Sequence, residues 1–106
     1  MERVLRVTTI HGTTPVPVRL EMPFDDYGSW RCDYSIGWPE GAFESYAMGA
    51  DAIQAMHLAL QWVGWRLYTS PHHEAGNLHF GEPGTGYGFP LPHDCRDWAI
   101  GGDQKL

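Results

Sequence analysis

Histidine and cysteine side chains that could ligate a metal ion are concentrated in the last third of the chain. Imidazole and thiolate groups are ligands that zinc prefers in proteins, so a zinc site is one interpretation of this segment. The spacing contains neither a Cys-x-x-Cys pair nor a His-Glu-x-x-His sequence, and loop histidines without such spacing are usually ordinary polar residues. We therefore predict no metal and no other cofactor. The weak candidates for metal ligands are His72, His73, His79, His93 and Cys95.

The glycine-rich segment 84–88 has the composition of a phosphate-binding loop. A phosphate loop follows a strand and leads into a helix N-terminus, whereas here Pro90 and Pro92 follow and no lysine is near. A turning loop is the better interpretation of this segment.

No set of side chains indicates a catalytic site. Cys95 lies two residues from His93, but a reactive thiolate depends on the orientation of its partner in space. Acidic pairs such as Asp25 and Asp26 are typical of solvated turns. We predict no catalytic residues, and an enzyme using the histidine-rich segment remains an alternative.

Length and composition indicate one globular domain, residues 1–106. Apolar residues make up 42% and charged residues 19% of the chain, and the net charge is −6. An acidic chain is repelled by phosphate backbones, so we expect no nucleic-acid partner. No segment resembles a signal peptide or a membrane span, which predicts a cytoplasmic protein with reduced thiols and no membrane partner.

The first half of the chain is rich in strand signals. Segment 30–38 alternates most clearly, with Trp30, Cys32 and Tyr34 on one face and Arg31 and Asp33 on the other. In segment 16–22, Val16, Val18, Leu20 and Met22 share a face. The predicted strands are residues 3–10, 16–22, 30–38, 43–48 and, as a short fifth strand, 77–80.

A helix is predicted over residues 52–69. Asp51 can cap it, Gln54 completes a capping box, and Pro71 stops it. The inward stripe at helical spacing comprises Ile53, Met56, His57, Leu60, Val63, Gly64 and Leu67. The fold class is therefore α+β, with an antiparallel sheet of four to five strands, one long helix packed on one face, and an irregular Gly/Pro-rich C-terminal tail.

The predicted outer side of the helix is also apolar, because Leu58, Trp62 and Trp65 lie opposite the stripe. One interpretation is that the tail covers this side. Its packing groups would be Phe80, Tyr87, Phe89, Leu91 and Trp98. The other interpretation is an interface, with Leu58, Trp62 and Trp65 binding a second copy or another protein.

The sequence resembles a group of small bacterial proteins of unknown function that have a Gly-x-Asp-x-x-Gln-Ala helix. The segments that carry the resemblance are the helix start, Met48 to Leu60, together with Trp30 to Ile36 and Gly88-Phe89-Pro90. The resemblance covers most of the chain and implies a fold and a bacterial setting, but no activity. A weaker resemblance, carried by Tyr34 to Trp38, Gly49, Asp51 and Ala55, is to the partial RNase-H-like domain of HicB-type antitoxins. That family usually carries an additional DNA-binding segment, and nothing after Pro71 resembles one.

Three function hypotheses follow. The first is a non-catalytic protein-interaction domain that binds itself or another protein through the aromatic surface of the helix. The second is a toxin-neutralising or immunity-type protein, which acidity, size and the HicB likeness favour. The third is the small metal-binding protein or enzyme already described.

Overall fold

Six strands form the sheet in the computed structural model, which describes all residues from 1 to 106. The strands are β1 (Glu2–Thr9), β2 (Gly12–Leu20), β3 (Phe24–Asp26), β4 (Ser29–Trp38), β5 (Gly41–Gly49) and β6 (Leu78–His79). Two α-helices, α1 (Ala52–Tyr68) and α2 (Pro71–Glu74), precede β6, and 3-10 helices at His93–Trp98 and Gly101–Lys105 lie in the tail. The predicted α+β class is confirmed.

Every pair of neighbouring strands is antiparallel, in the order β6-β1-β2-β4-β5. β3 continues β2 along the same edge of β4, but the register changes by one residue between them. Met22 and Pro23 occupy this bulge, and Met22 is 70% exposed. The prediction that Met22 shares the buried face of β2 is therefore wrong, because the bulge turns its side chain out of the alternation that buries Val16, Val18 and Leu20.

The predicted alternation of β4 is confirmed. Cys32, Tyr34 and Ile36 are buried in the core on the face that α1 covers. On the opposite face Arg31 and Asp33 form an ion pair in contact with solvent. One face of the sheet is therefore open and polar, as is usual for antiparallel sheets.

Asp51 caps the N-terminus of α1 as the sequence predicts, whereas Gln54 bonds to the amide one residue before the cap and not to that of Asp51. The Asp51 Oδ1 atom accepts a hydrogen bond of 2.8 Å from the Gln54 amide, and Gln54 Oε1 accepts one of 2.6 Å from the Ala50 amide. At the other end the helix stops before Pro71, which becomes the first residue of α2 because Ser70 caps that short helix.

The buried face of α1 is rotated from the predicted stripe. Ala55 and Ala59 are fully buried, whereas Ile53 is 81% exposed and His57 is also exposed. The helix lies close to β5, since a Cβ atom on Gly49 would come within 2.5 Å of the Ala55 amide nitrogen. Small side chains permit this approach, and they therefore take the inward positions that the larger Ile53 was predicted to occupy.

The C-terminal tail packs across α1, but on the side of Gly64, which belongs to the predicted inward stripe, and not over the outer side with Trp62 that one interpretation of the sequence expected it to cover. Tyr87, Phe89 and Leu91 are buried, whereas Phe80 is 41% and Trp98 47% exposed. The crossing point is Gly64, where an added Cβ atom would lie 2.1 Å from the carbonyl oxygen of Pro90. Phe80 and Trp98 were predicted to be packing groups as well, but both are exposed, and the Phe80 ring lies 5.0 Å from the guanidinium of Arg3.

Candidate functional site

The three residues predicted to bind a partner form a continuous strip on α1, which we call the tryptophan flank (Leu58, Trp62 and Trp65). Leu58 and Trp65 are partly buried against the core, while Trp62 is 45% exposed. The indole rings of Trp62 and Trp65 are 5.9 Å apart and nearly perpendicular. The tail crosses the helix at Gly64, which lies about 160° around the axis from Trp62. The tail therefore leaves Trp62, the most exposed residue of the flank, uncovered.

The tryptophan flank faces the β5 edge of the sheet. Arg66, one helical turn after Trp62, places its guanidinium 4.1 Å from the centre of the Phe43 ring in β5 and 5.1 Å from that of Trp65. The Nε atom of Arg66 is buried and has no hydrogen-bond acceptor. Aromatic and arginine side chains thus lie together beside the edge strand.

β5 itself is an edge strand, and no other strand pairs with its outer side. It pairs with β4 over nine residues in a register without a bulge, and with no other strand. It contains no proline, and Glu44 is its only charged residue. Natural edge strands usually carry prolines, bulges or several charges that prevent pairing with another chain. β5 has no proline, no bulge and only one charge, so little in its sequence prevents pairing with another chain.

A second apolar surface lies on the opposite side of α1. The first turns of the helix and the β2–β3 bulge enclose a cleft of about 480 Å³, which we call the methionine groove. His57 is the only polar residue that lines it. The apolar lining comprises Met22, Pro23, Trp30, Ala52, Ile53, Met56 and Leu60. Met56 and Leu60 also border an adjoining depression of about 320 Å³, so the two form one apolar strip.

Reasoning from the sequence missed the methionine groove. It assigned Ile53, Met56 and Leu60 to the core and Met22 to the inner face of β2. Two features could have indicated the difference: the alanines at 55 and 59, which suit a close helix–sheet contact, and Pro23, which suits a bulge.

The metal-ligand candidates have other contacts. His72 interacts with Glu40 at 2.9 Å and stacks on Trp38, while His79 bonds to the Thr8 hydroxyl at 2.8 Å. The contact with His72 holds the pKa of the Glu40 carboxyl below its usual value. His93 is exposed and Cys95 is a partly buried free thiol that packs on the core. No group of three or more His, Cys, Asp or Glu residues is placed to hold a metal ion.

The glycine-rich loop holds an anion that belongs to the chain. The buried Asp103 carboxylate accepts hydrogen bonds from the amides of Tyr87 at 2.8 Å and Gly88 at 2.7 Å. It also accepts a hydrogen bond of 2.6 Å from the Tyr68 hydroxyl. Gly86 is required here, because its φ is +96° and an added Cβ atom would meet the Asp103 carboxylate at 2.6 Å. Two of the amides that a phosphate loop would offer to a ligand, those of Tyr87 and Gly88, are thus occupied.

Two tyrosines and a histidine complete this cluster. The Nδ1 atom of His73 contacts the Tyr87 hydroxyl, and the Tyr68 ring packs against both. Burial raises the pKa of Tyr87 to about 12, with the Asp103 charge adding to the shift, and burial lowers the pKa of His73. Burial, followed by the hydrogen bond to Asp103, also raises the pKa of Tyr68. These groups are neutral and internally bonded, which suits a structural role in anchoring the tail.

The open face of the sheet carries a polar cleft of about 420 Å³. Arg31 lines this cleft, 2.6 Å from Asp33 and 4.0 Å from the centre of the Tyr46 ring. Glu21 and Glu44 also line the cleft. Because the arginine is already paired and stacked, the arrangement contains no free cation for an anionic ligand.

Comparison with known proteins identifies the family. Residues 1–91 match the family described as "Domain of unknown function (DUF6968)", and the chain belongs to this family. No curated protein and no solved structure matches the chain. The likeness to HicB-type antitoxins is neither supported nor contradicted by these comparisons. None of the helices is both long enough and apolar enough to span a membrane.

Proposed function

We propose that this chain is a protein-interaction domain that assembles as a homodimer through β5 and the tryptophan flank. The observation that carries the proposal is the position of Trp62, 45% exposed on the side of α1 next to an edge strand with little protection. A partner at this edge would satisfy the backbone groups of the strand and cover the indole in one contact.

A second copy suits this surface because the surface is self-complementary. In a dimer with two-fold symmetry each patch meets its own equivalent, and two β5 strands can pair antiparallel about the axis. Nine residues give a strand of about 30 Å over which to pair. The single charge, Glu44, leaves few like charges to be brought together.

The side chains above the strand suit the centre of such an interface. Tryptophan and arginine are enriched among the residues that dominate binding energy, and they act best where surrounding contacts exclude water. Trp62 lies beside Leu58, Trp65 and Arg66, so two copies would bring together two apolar strips flanked by guanidinium groups. The flank and the strand edge together offer a continuous contact rather than an isolated side chain.

The test is the mass of the purified chain measured by multi-angle light scattering over a concentration series. We expect a species of twice the 11.9 kDa chain mass. Trp62→Ala should weaken the dimer by at least about tenfold, because truncating a central aromatic residue costs about 2 kcal/mol or more. Trp98→Ala is the matched control, since Trp98 is 47% exposed but lies in the tail.

Hydrogen exchange on the same samples locates the contact. The outward-facing β5 amides should exchange slowly in the dimer and rapidly in Trp62→Ala, whereas amides of β1 should not change. A chain that remains monomeric up to about 1 mM refutes the proposal, because weaker association corresponds to less than about 4 kcal/mol of binding free energy, too little for an interface with a central aromatic anchor. A dimer that is equally stable in Trp62→Ala and Trp98→Ala refutes the assignment of this surface.

A further inference from the structure

We infer that the methionine groove binds a segment of a protein partner that is apolar on one face and carries lysine or arginine beside it. The groove is independent of the proposed dimer, because it lies on the side of α1 that faces β2 and β3 rather than β5. Two of its side chains are exposed to an unusual degree, with Ile53 at 81% and Met22 at 70%. Contiguous exposed apolar surface of this kind marks a binding site.

The shape of the groove suits a peptide segment. Its two depressions, of about 480 and 320 Å³, are joined through Met56 and Leu60. A helix laid in a groove places apolar anchors on successive turns, and each depression can receive one anchor. The joined strip thus offers two anchor positions in a row, with the exposed side chain of Ile53 beside the first.

The lining is adaptable. Three of the four methionines of the chain border the strip, namely Met1, Met22 and Met56. Methionine is unbranched and polarisable, and surfaces rich in it can repack around different apolar side chains. The groove should therefore select the apolar character of a segment more than one particular sequence.

Charge sets the second requirement. Asp25 is the strand partner of Trp30, so its exposed carboxylate lies at the Trp30 end of the groove. Asp51, exposed at the N-cap of α1, precedes the lining residue Ala52. The only cationic side chain that lines either depression is Arg3, which donates hydrogen bonds to the carbonyl groups of Tyr87 and Gly88. With a net charge of −6, the chain attracts a basic segment to this end.

The probe is a synthetic amphipathic peptide of roughly 14 residues, with leucines at helical spacing and lysines at the remaining positions. Binding is followed by NMR of protein labelled at the methionine methyl groups. We expect the signals of Met22 and Met56 to move on titration. Met48 is the internal control, because it lies opposite Arg31 on the other face of the sheet. A second peptide, with glutamates in place of lysines, should bind at least about tenfold more weakly.

Variants test each part of the inference. Ile53→Ser should weaken binding about tenfold, while Ile10→Ser, which alters an isoleucine that is 97% exposed at a hairpin turn, should not. The double variant D25N/D51N keeps the side-chain oxygens that accept hydrogen bonds from the amides of Gly28 and Gln54, and it should weaken binding of the lysine peptide alone. The double variant D94N/D97N removes the same charge from the tail and is its control.

Several outcomes overturn the inference. If neither peptide moves the Met22 and Met56 signals, the groove is not a docking site. If both peptides bind equally, the charge requirement is wrong. If these signals move with protein concentration alone, a second copy occupies the groove. Repeating the titration in Trp62→Ala separates this site from the dimer surface, because loss of the dimer should leave peptide binding unchanged.

Discussion

Replacing Asp103 with alanine should destabilise the fold strongly, although the residue lies only three positions before the last residue, Leu106. Asp103 is 5% exposed, and its carboxylate accepts hydrogen bonds from the Tyr68 hydroxyl and from the amides of Tyr87 and Gly88. Asp103→Ala removes the acceptor and leaves three donors without it. A buried donor without an acceptor costs about 1–3 kcal/mol.

The expected loss follows from the burial of the three donors. Two of the hydrogen bonds are fully buried, and that of Gly88 is only partly buried, so water can replace the acceptor there. The sum is a loss of about 3–5 kcal/mol in the free energy of unfolding. Total stability for a domain of this kind is about 5–15 kcal/mol, so the loss should amount to at least about a fifth of the stability of the chain.

Urea denaturation followed by tryptophan fluorescence measures this loss. The midpoint should fall while the dependence on urea stays constant, which would indicate a change of stability alone. Asp97→Ala is the control, because Asp97 is exposed in the same tail, and it should change stability by less than about 0.5 kcal/mol. A loss below about 1 kcal/mol in Asp103→Ala would show that the carboxylate does not hold the tail in the way described.

Two further outcomes are expected around the tail. Gly64→Ala should destabilise the chain by at least about 1 kcal/mol, because the steric clash with the Pro90 carbonyl outweighs the helical preference for alanine. Gln61→Ala, on the same helix, is the control and should have little effect on stability. A Gly64→Ala variant more stable than the original chain would contradict the close contact. Because burial lowers the pKa of His73, its neutral form is favoured in the folded chain, and the unfolded imidazole, with a pKa of about 6.5, takes up a proton first. Its contribution to stability should therefore be complete above pH of about 6.5 and fall as the pH drops below that value. Urea titrations at several pH values should show that His73→Asn reduces the pH dependence of stability. The exposed control His11→Asn should leave that dependence unchanged. If the two variants have the same pH dependence, the role given to His73 is wrong.

Much of the fold could be read from local sequence patterns. The alternation of residues 30–38 and the capping residues Asp51 and Gln54 depend on side chains close together in the chain, and the structure has both features. The aromatic residues of the tail also indicated that it must pack on something. Periods of two and of 3.6 residues report which residues share a face, because backbone geometry fixes those periods.

The rotation of the helix was decided by tertiary packing. Leucine, isoleucine and alanine all fit an apolar stripe, and the close approach at Gly49 selected the alanines for the inner face. That choice left Ile53 exposed and created the methionine groove, to which the bulge at Met22 contributes the other wall. For neither wall does the neighbouring sequence indicate that the apolar side chains are exposed.

The sequence by itself determined the fold class, the strands and helix, and the presence of more apolar surface on α1 than one sheet can cover. Only the tertiary structure decided which of that surface the tail covers, because the crossing at Gly64 and the bond between Tyr68 and Asp103 join residues far apart in the chain. Side-chain periodicity is local, whereas the direction from which a distant segment arrives depends on close packing across the whole core.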